Sequence, residues 1–368
     1  MTTLQLQTPT TTRKFWSGMS LFCLALLIAP VVATQLGGNY WVRVIDFALL
    51  YIMLALGLNI VVGYTGLLDM GFIAFYAVGA YLAALMASPH LLEVFPIHGV
   101  WFPDGLHTSY LLIIPLAALV AAVCGILLGA PTLKLRGDYL AIVTLGFGEI
   151  IRILMRNLDR PVNITNGAKG ITGVDTLNLF GLKFSGVYHW FGFKVPALWL
   201  WYYLLMLVIV AIIFVCLRLQ HSRIGRAWHA IREDEDVARA MGINVRNYKL
   251  LAFAMGASFG GVAGALFGAF QGFVSPESFT LQESIAVLAM VVLGGMGHIP
   301  GVILGAVLLT ALPELLRSQA APVQQALFGT VLIDPEVLRQ LFYGLALVLV
   351  MLVRPSGIWP VRHKEAKA

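Results

Sequence analysis

The chain has 368 residues and a formal net charge of +6, yet only 11% of its residues are charged and 59% are hydrophobic. Soluble domains typically carry about 25% charged residues. Together with a mean hydropathy of +0.86, this composition excludes a soluble enzyme, a nucleic-acid-binding protein and a disordered chain. It also excludes an outer-membrane barrel, whose strands alternate apolar and polar side chains.

Ten apolar runs follow one another along the chain, and a bilayer core needs roughly 20 apolar residues per crossing helix. The runs lie at about 15–35, 44–62, 71–87, 109–130, 139–157, 197–218, 249–272, 285–296, 301–317 and 337–354. The eighth is short and ends in a glycine-rich break, so we expect one broken or re-entrant segment near 285–301, paired with the ninth run. The sequence therefore predicts an all-α, polytopic integral membrane protein with about ten transmembrane segments.

The orientation follows from the basic residues, which accumulate on the cytoplasmic side of membrane proteins. They are densest in the stretch 218–249. This places the 219–248 loop in the cytoplasm and the 158–196 loop on the periplasmic side. The tails 1–14 and 355–368 are then both cytoplasmic, and residues 15–354 form a single transmembrane domain.

Glycines recur every four residues in the seventh run, at Gly256, Gly260, Gly264, Gly268 and Gly272. Residues spaced in this way form a ridge along one side of a helix. A ridge of small residues lets a second helix approach closely. The ridge indicates either tight packing within the fold or a surface along which helices slide during transport.

Ionisable residues inside a membrane segment are costly and are functional candidates by default. Glu149 lies in the middle of the fifth run, and Arg152 follows at i+3, where two side chains on a helix can pair. The two form either a structural ion pair or a contact on the path of an amino-acid substrate. Asn59, Tyr64 and Thr65, at the end of the second run, offer further hydrogen-bonding groups for a zwitterion.

Two further acidic residues are expected to have structural roles. Asp69 follows the second run between Gly63 and Gly71 and is predicted to cap a turn there. Asp46 lies near the outer end of the second run. We expect its carboxylate to reach water at the membrane surface.

The 219–248 loop contains the pattern of a short helix. The residues from Glu233 to Asp236 are acidic, which is favourable at the positive end of a helix dipole. Gly242 is a natural helix stop. The small side chains between them suit insertion into a groove on another protein, although a solvated basic loop would also satisfy the pattern.

Five stretches carry a resemblance to a known family. Asp236-Val237-Ala238-x-x-x-Gly242 looks like a degenerate form of the Glu-Ala-Ala-x-x-x-Gly loop of ABC-importer permeases, which docks on the ATPase. Four other stretches resemble LivM-type permeases of branched-chain amino acid ABC transporters: GLNIVVGYTGLLD (57–69), KLRGDYLAIVTLGFGEIIR (134–152), GFVSPESF (272–279) and VVLGGMG (291–297). The loop departs from the pattern, with Asp-Val in place of Glu-Ala.

The resemblance covers nearly the whole chain after residue 44 and implies a function. It implies a permease of the bacterial inner membrane that moves leucine, isoleucine and valine into the cytoplasm by ATP-driven alternating access. The implied partners are a second, homologous permease, two cytoplasmic ATPase subunits and a periplasmic substrate-binding protein. The predicted ATPase-coupling residues are Arg232, Glu235, Asp236, Ala238, Gly242 and Asn244.

The sequence offers no candidate for catalysis. It lacks the P-loop motif, so ATP and Mg²⁺ would be bound by the partner subunits. The three cysteines lie in apolar runs without a CxxC pattern or a histidine cluster, so neither a metal site nor a cofactor is expected. Three alternatives stay open: an importer of urea or short amides, a stand-alone secondary transporter or channel, and a membrane-embedded enzyme.

Overall fold

The computed structural model of the protein describes residues 10–91, 107–133, 135, 137–179, 181–190, 193–328 and 357–359, with a few positions between 337 and 353. The described chain is mostly helical. Its helices are α1 (Thr10–Asn59), which a π-helix (Ile60–Tyr64) continues, α2 (Ile73–Met86), α3 (Tyr110–Thr132), α4 (Asp138–Asn157), α5 (Ala197–Gln220), α6 (Arg223–Glu233), α7 (Glu235–Ala240), α8 (Val245–Gln271), α9 (Leu281–Gly294) and α10 (Ile299–Phe328).

Five segments of the described chain are long and apolar enough to cross a membrane: Gly38–Tyr64, Tyr110–Thr132, Ala197–Gln220, Val245–Gln271 and Pro276–Gly294. Shorter apolar helices lie at Leu26–Gln35, Ile73–Met86 and Ile299–Leu315. Together with α4, these segments match the first nine apolar runs of the sequence. The tenth run, 337–354, falls largely outside the described residues.

The first two apolar runs adjoin at Gly38 within α1. The φ angle of Gly38 is +72°, which interrupts helical geometry. On one side of it, Thr34 accepts a hydrogen bond from Trp199 at 3.0 Å. On the other side, Arg43 donates one to Gln271 at 2.7 Å. The first two apolar runs are therefore joined by one glycine in the left-handed conformation, and not by the loop that was expected between them.

The glycine ridge lies on α8, at the centre of the bundle. A Cβ atom at Gly264 would lie 2.1 Å from the Tyr76 carbonyl oxygen, and one at Gly256 would lie 2.9 Å from that of Gly57, so α1 and α2 contact the ridge through their backbones. Gly256, Gly260, Gly264 and Gly268 thus pack against other elements of the fold, and sliding of the helices along this ridge during transport stays a prediction. The prediction of the ridge was wrong for Gly272, which has a φ of +69° and ends the helix.

Residues 66–72 between the π-helix and α2 are not helical, and they are packed against other helices. Asp69 accepts a hydrogen bond from the Gly71 amide at 2.9 Å, so the predicted turn is confirmed. The Met70 amide donates to Thr144 of α4 at 3.0 Å, and its carbonyl accepts from Ser284 of α9. Irregular backbone inside a membrane must find such partners within the protein.

Helices α9 and α10 form a hairpin, while the broken or re-entrant segment expected near 285–301 stays a prediction. Glycine permits their close approach, because a Cβ atom at Gly294 would lie 2.3 Å from the Gly301 carbonyl oxygen. The Ile358 amide donates to the Leu293 carbonyl at 2.8 Å. The segment 357–359 thereby covers the end of α9.

The 158–196 loop contains the strands β1 (Ile171–Thr172), β2 (Asn178–Leu179), β3 (Leu182–Lys183), β4 (Tyr188–Trp190) and β5 (Phe193–Val195). β2 pairs with β3 and β4 with β5, both antiparallel. β1 pairs with β6 (Phe273–Val274), directly after α8. The loop is thus fixed to the same end of the bundle as Gly272.

Candidate functional site

The segment between α5 and α8 folds into two short helices. Helix α6 begins after Ser222, whose hydroxyl accepts from the amides of Ile224 and Gly225. Helix α7 begins after Asp234, which accepts from the Asp236 amide at 2.8 Å. Gly242, with a φ of +84°, follows its end. The predicted short helix with an acidic start and a glycine stop is therefore confirmed.

A buried ion pair attaches α7 to α8. The Lys249 ammonium of α8 donates to Glu235 at 2.6 Å, and only 4% of the lysine side chain is exposed. Arg239 donates to the same carboxylate at 3.0 Å. Ala238 is buried and packs with Ile231 and Val245. Two of the predicted coupling residues, Glu235 and Ala238, therefore face the transmembrane bundle.

Arg232, at the end of α6, connects this segment to the π-helix. Its guanidinium donates to the Gly63 carbonyl at 2.5 Å. Carbonyl groups at the end of a helix lack a donor within that helix, and Arg232 supplies one. Close by, Asn59 accepts a hydrogen bond from the Gly297 amide at 2.8 Å. Arg232 thus contacts the region where the π-helix meets the turn between α9 and α10.

The other two predicted coupling residues support the local fold. Asp236 accepts a hydrogen bond from Arg239 at 3.3 Å on the surface of α7. Asn244 caps α8, accepting from the Asn247 amide at 3.2 Å.

Sequence reasoning missed the side chains that α7 presents to its surroundings. Val237 is 59% exposed and Met241 is 78% exposed. The i,i+4 spacing of these two apolar residues places them on one side of the helix and was the available signal. A cavity of about 690 Å³ lies between α7 and the start of α8, lined by residues that include Leu133, Arg239 and Asn244.

The first group of predicted path residues lies in the packed interior. Asn59 and Tyr64 are at most 1% exposed, and the Tyr64 ring stacks on Trp228 with 6.3 Å between ring centres. Thr65 donates to the Val61 carbonyl at 2.6 Å. In this arrangement these side chains hold elements of the fold together, and their place on a path stays a prediction.

The second group lies on the surface of α4. The predicted Glu149–Arg152 pair is confirmed, with Arg152 Nε 3.0 Å from Glu149 Oε1. Arg152 also contacts Glu277 at 3.4 Å. The side chains of Arg152 and Glu149 are 21% and 36% exposed. The two groups of path residues therefore contact different elements of the structure.

The exposure of the Asp46 side chain differs from the expectation. Its side chain is 0% exposed, and neither carboxylate oxygen has a hydrogen-bond partner among the described residues. The expectation that it reaches water was wrong, because α1 turns this side chain towards the interior of the bundle.

Comparison with known proteins identifies the family. The model of the family described as "Branched-chain amino acid transport system / permease component" matches residues 40–351. The chain belongs to this permease family. It is 42% identical to the "High-affinity branched-chain amino acid transport system permease protein LivM" of Escherichia coli K12, over 94% of this chain and 76% of the relative.

Two further relatives of the permease cover 84% of its chain and 90% of their own length. The "Probable branched-chain amino acid transport permease protein LivM" of Methanocaldococcus jannaschii is 26% identical. The "High-affinity branched-chain amino acid transport system permease protein LivH" of Salmonella typhimurium is 25% identical. No solved structure matches the permease. The family assignment agrees with the polytopic helical fold and with the resemblance found in the sequence.

Proposed function

We propose that this permease imports leucine, isoleucine and valine, and that ATP hydrolysis by partner subunits drives the transport. The names of the LivM relatives support the substrate class. The observation that carries the coupling is the anchored helix pair α6–α7: a short helix with exposed Val237 and Met241 is bound through Glu235 and Lys249 to the central helix α8.

Arg232 extends this coupling into the membrane region. A displacement of α7 by an ATPase would move Glu235 and, with it, the inner end of α8. The same displacement would act through Arg232 on the Gly63 carbonyl, next to the hydrogen bond between Asn59 and Gly297. Two interrupted parts of the bundle would respond together, which is the kind of discrete rearrangement that alternating access requires.

The proposed assembly contains a second permease, two ATPases and a periplasmic substrate-binding protein. A LivH relative at 25% identity supports a second, homologous permease subunit. In this arrangement the α6–α7 segment and both termini are cytoplasmic, the strand-containing 158–196 loop is periplasmic, and about ten segments cross the membrane, including the run 337–354.

Reconstituted transport tests the proposed function. In proteoliposomes containing the complete complex and the binding protein, we expect ATP-dependent uptake of radiolabelled leucine that isoleucine and valine inhibit and urea does not. Uptake that continues without ATP would identify a secondary transporter or channel. Uptake of urea in place of leucine would overturn the substrate assignment.

Replacing Gly242 with valine tests the coupling segment in the same assay. A β-branched residue at a φ of +84° costs about 1–3 kcal/mol of backbone strain, which would displace the end of α7. We expect stimulation of ATPase activity by the loaded binding protein to fall about tenfold, while membrane insertion is unchanged.

The matched control is Gly173→Val in the 158–196 loop, because Gly173 has a φ of +70° and likewise has no atom within 4 Å of an added Cβ. This variant carries the same strain far from α7, so normal stimulation is expected. Equal loss of stimulation in both variants, or in neither, would contradict the coupling role of the segment.

A further inference from the structure

A cavity of about 490 Å³ lies between α1, α9 and α10. Phe47, Met290 and Leu309 contribute apolar walls, and Glu283 and Tyr51 contribute polar groups. A second cavity of about 180 Å³ shares Phe47, Tyr51 and Glu283 with the first. Ligand sites in proteins are commonly concave and mostly apolar, with a few polar groups that orient the ligand.

The negative charge of the carboxylates that line this cavity is not compensated by a basic side chain of the same lining. Glu283 accepts a hydrogen bond from the Tyr51 hydroxyl at 2.7 Å. Within the described part of the chain, no basic side chain forms an ion pair with Glu283. Glu314 also lines the cavity, and its partner Arg317 lies 3.5 Å away on the exposed surface of α10. A carboxylate among apolar walls is stabilised by an opposite charge.

We infer that this cavity binds the transported amino acid, with Glu283 contacting the substrate ammonium group. This inference rests on the proposed function and goes beyond it by assigning a substrate site within the membrane region. The Tyr51 hydroxyl occupies only part of the accepting capacity of the Glu283 carboxylate oxygens, which can accept further hydrogen bonds from the ammonium group. The Arg43 guanidinium already lies over the Phe47 ring at 5.9 Å, so the Tyr51 ring is the aromatic group of the lining that suits a further cation.

The apolar part of the cavity suits a branched aliphatic side chain. Met290 and Leu309 are almost fully buried at this wall. Methionine adapts to ligands of slightly different shape, which fits a site that accepts leucine, isoleucine and valine. The amide of Gln282, on the same lining, is a donor for the substrate carboxylate.

Glu283→Gln in the reconstituted complex tests the inference. Loss of the negative charge should lower ATP-driven leucine uptake about tenfold or more, with unchanged assembly and basal ATPase activity. Asp138→Asn is the matched control, since Asp138 and Glu283 are both acidic residues in the first turn of a helix and Asp138 is exposed. Wild-type uptake in Glu283→Gln, or an equal loss in Asp138→Asn, would overturn the assignment.

Substrate protection of a cysteine supplies a readout that a purely structural role would not change. Ala286 lines the cavity. In Ala286→Cys we expect bound leucine to slow modification of the cysteine by a small thiol reagent about threefold or more. Adding Glu283→Gln should abolish this protection. Absence of protection by leucine in Ala286→Cys would overturn the inference, even if Glu283→Gln failed to assemble. If the unaltered complex imported no leucine at all, the proposed function would fail instead.

Discussion

Helices α8 and α3 are both long enough to cross a membrane, but they are buried to very different extents. In the apolar stretch of α8 72% of residues are buried, against 22% in that of α3, although α3 is the more hydrophobic of the two. The difference shows that the hydrophobicity of a helix does not by itself decide how deeply it is buried in the bundle, since the Gly38–Tyr64 stretch is also hydrophobic and 78% buried. In α8 most of the buried positions are glycine and alanine.

The physical reason is that lipid surrounds the helices of the bundle. Lipid is as apolar as a leucine side chain, so burying leucine between helices gains little, and close backbone packing determines which helices associate. Gly264 and Gly261 of α8 meet the backbones of α2 and α3, respectively. On α3, Leu119 and Leu127 are more than 60% exposed. The small residues of α8 therefore let the backbones of α2 and α3 approach it closely.

Enlarging a glycine of the ridge should have the largest effect on this arrangement. In Gly264→Leu, the added Cβ would lie 2.1 Å from the Tyr76 carbonyl oxygen. The helices would have to separate, at a cost of about 3 kcal/mol or more. We expect most of the protein to be lost as aggregate, measured as the monodisperse fraction after extraction in mild detergent.

The control for this variant is Gly146→Leu on α4, where no atom lies within 4 Å of an added Cβ. This variant should extract like the unaltered protein. A folded Gly264→Leu variant would show that α2 does not pack against α8 as described.

Removing the charge of Lys249 near the start of α8 should have a smaller effect on stability and a specific effect on coupling. Lys249→Met removes the buried ammonium that donates to the Glu235 carboxylate, so we expect a loss of about 1–3 kcal/mol. Thermal unfolding and stimulated ATPase activity of the complex measure the two effects. The double variant Lys249→Met/Glu235→Leu should recover part of the stability, because the carboxylate is removed together with the ammonium. Strictly additive losses would contradict a direct pair.

The sequence predicted the elements whose causes are local. The acidic start of α7, its stop at Gly242 and the Glu149–Arg152 pair at i,i+3 all follow from neighbours along the chain. The glycine ridge was predicted for the same reason, although its last member, Gly272, ends the helix instead.

Contacts between distant residues could not be predicted in this way. Arg232 and Gly63 are 169 positions apart, and only the folded bundle brings them together. The burial of Asp46 depends on how α1 rotates against its neighbours. The cavity around Glu283 needs three helices, none of which carries a sequence pattern that points to it.

Cross-linking between α7 and the ATPase subunit tests the central claim most directly. In a variant whose native cysteines are replaced, Met241→Cys should form a cross-link to the ATPase in the assembled complex through a short bifunctional thiol reagent. Val187→Cys in the 158–196 loop is 61% exposed as valine and should form none. Cross-linking at position 241 alone is the predicted result. No cross-link at 241, or equal cross-linking at 187, would contradict the account.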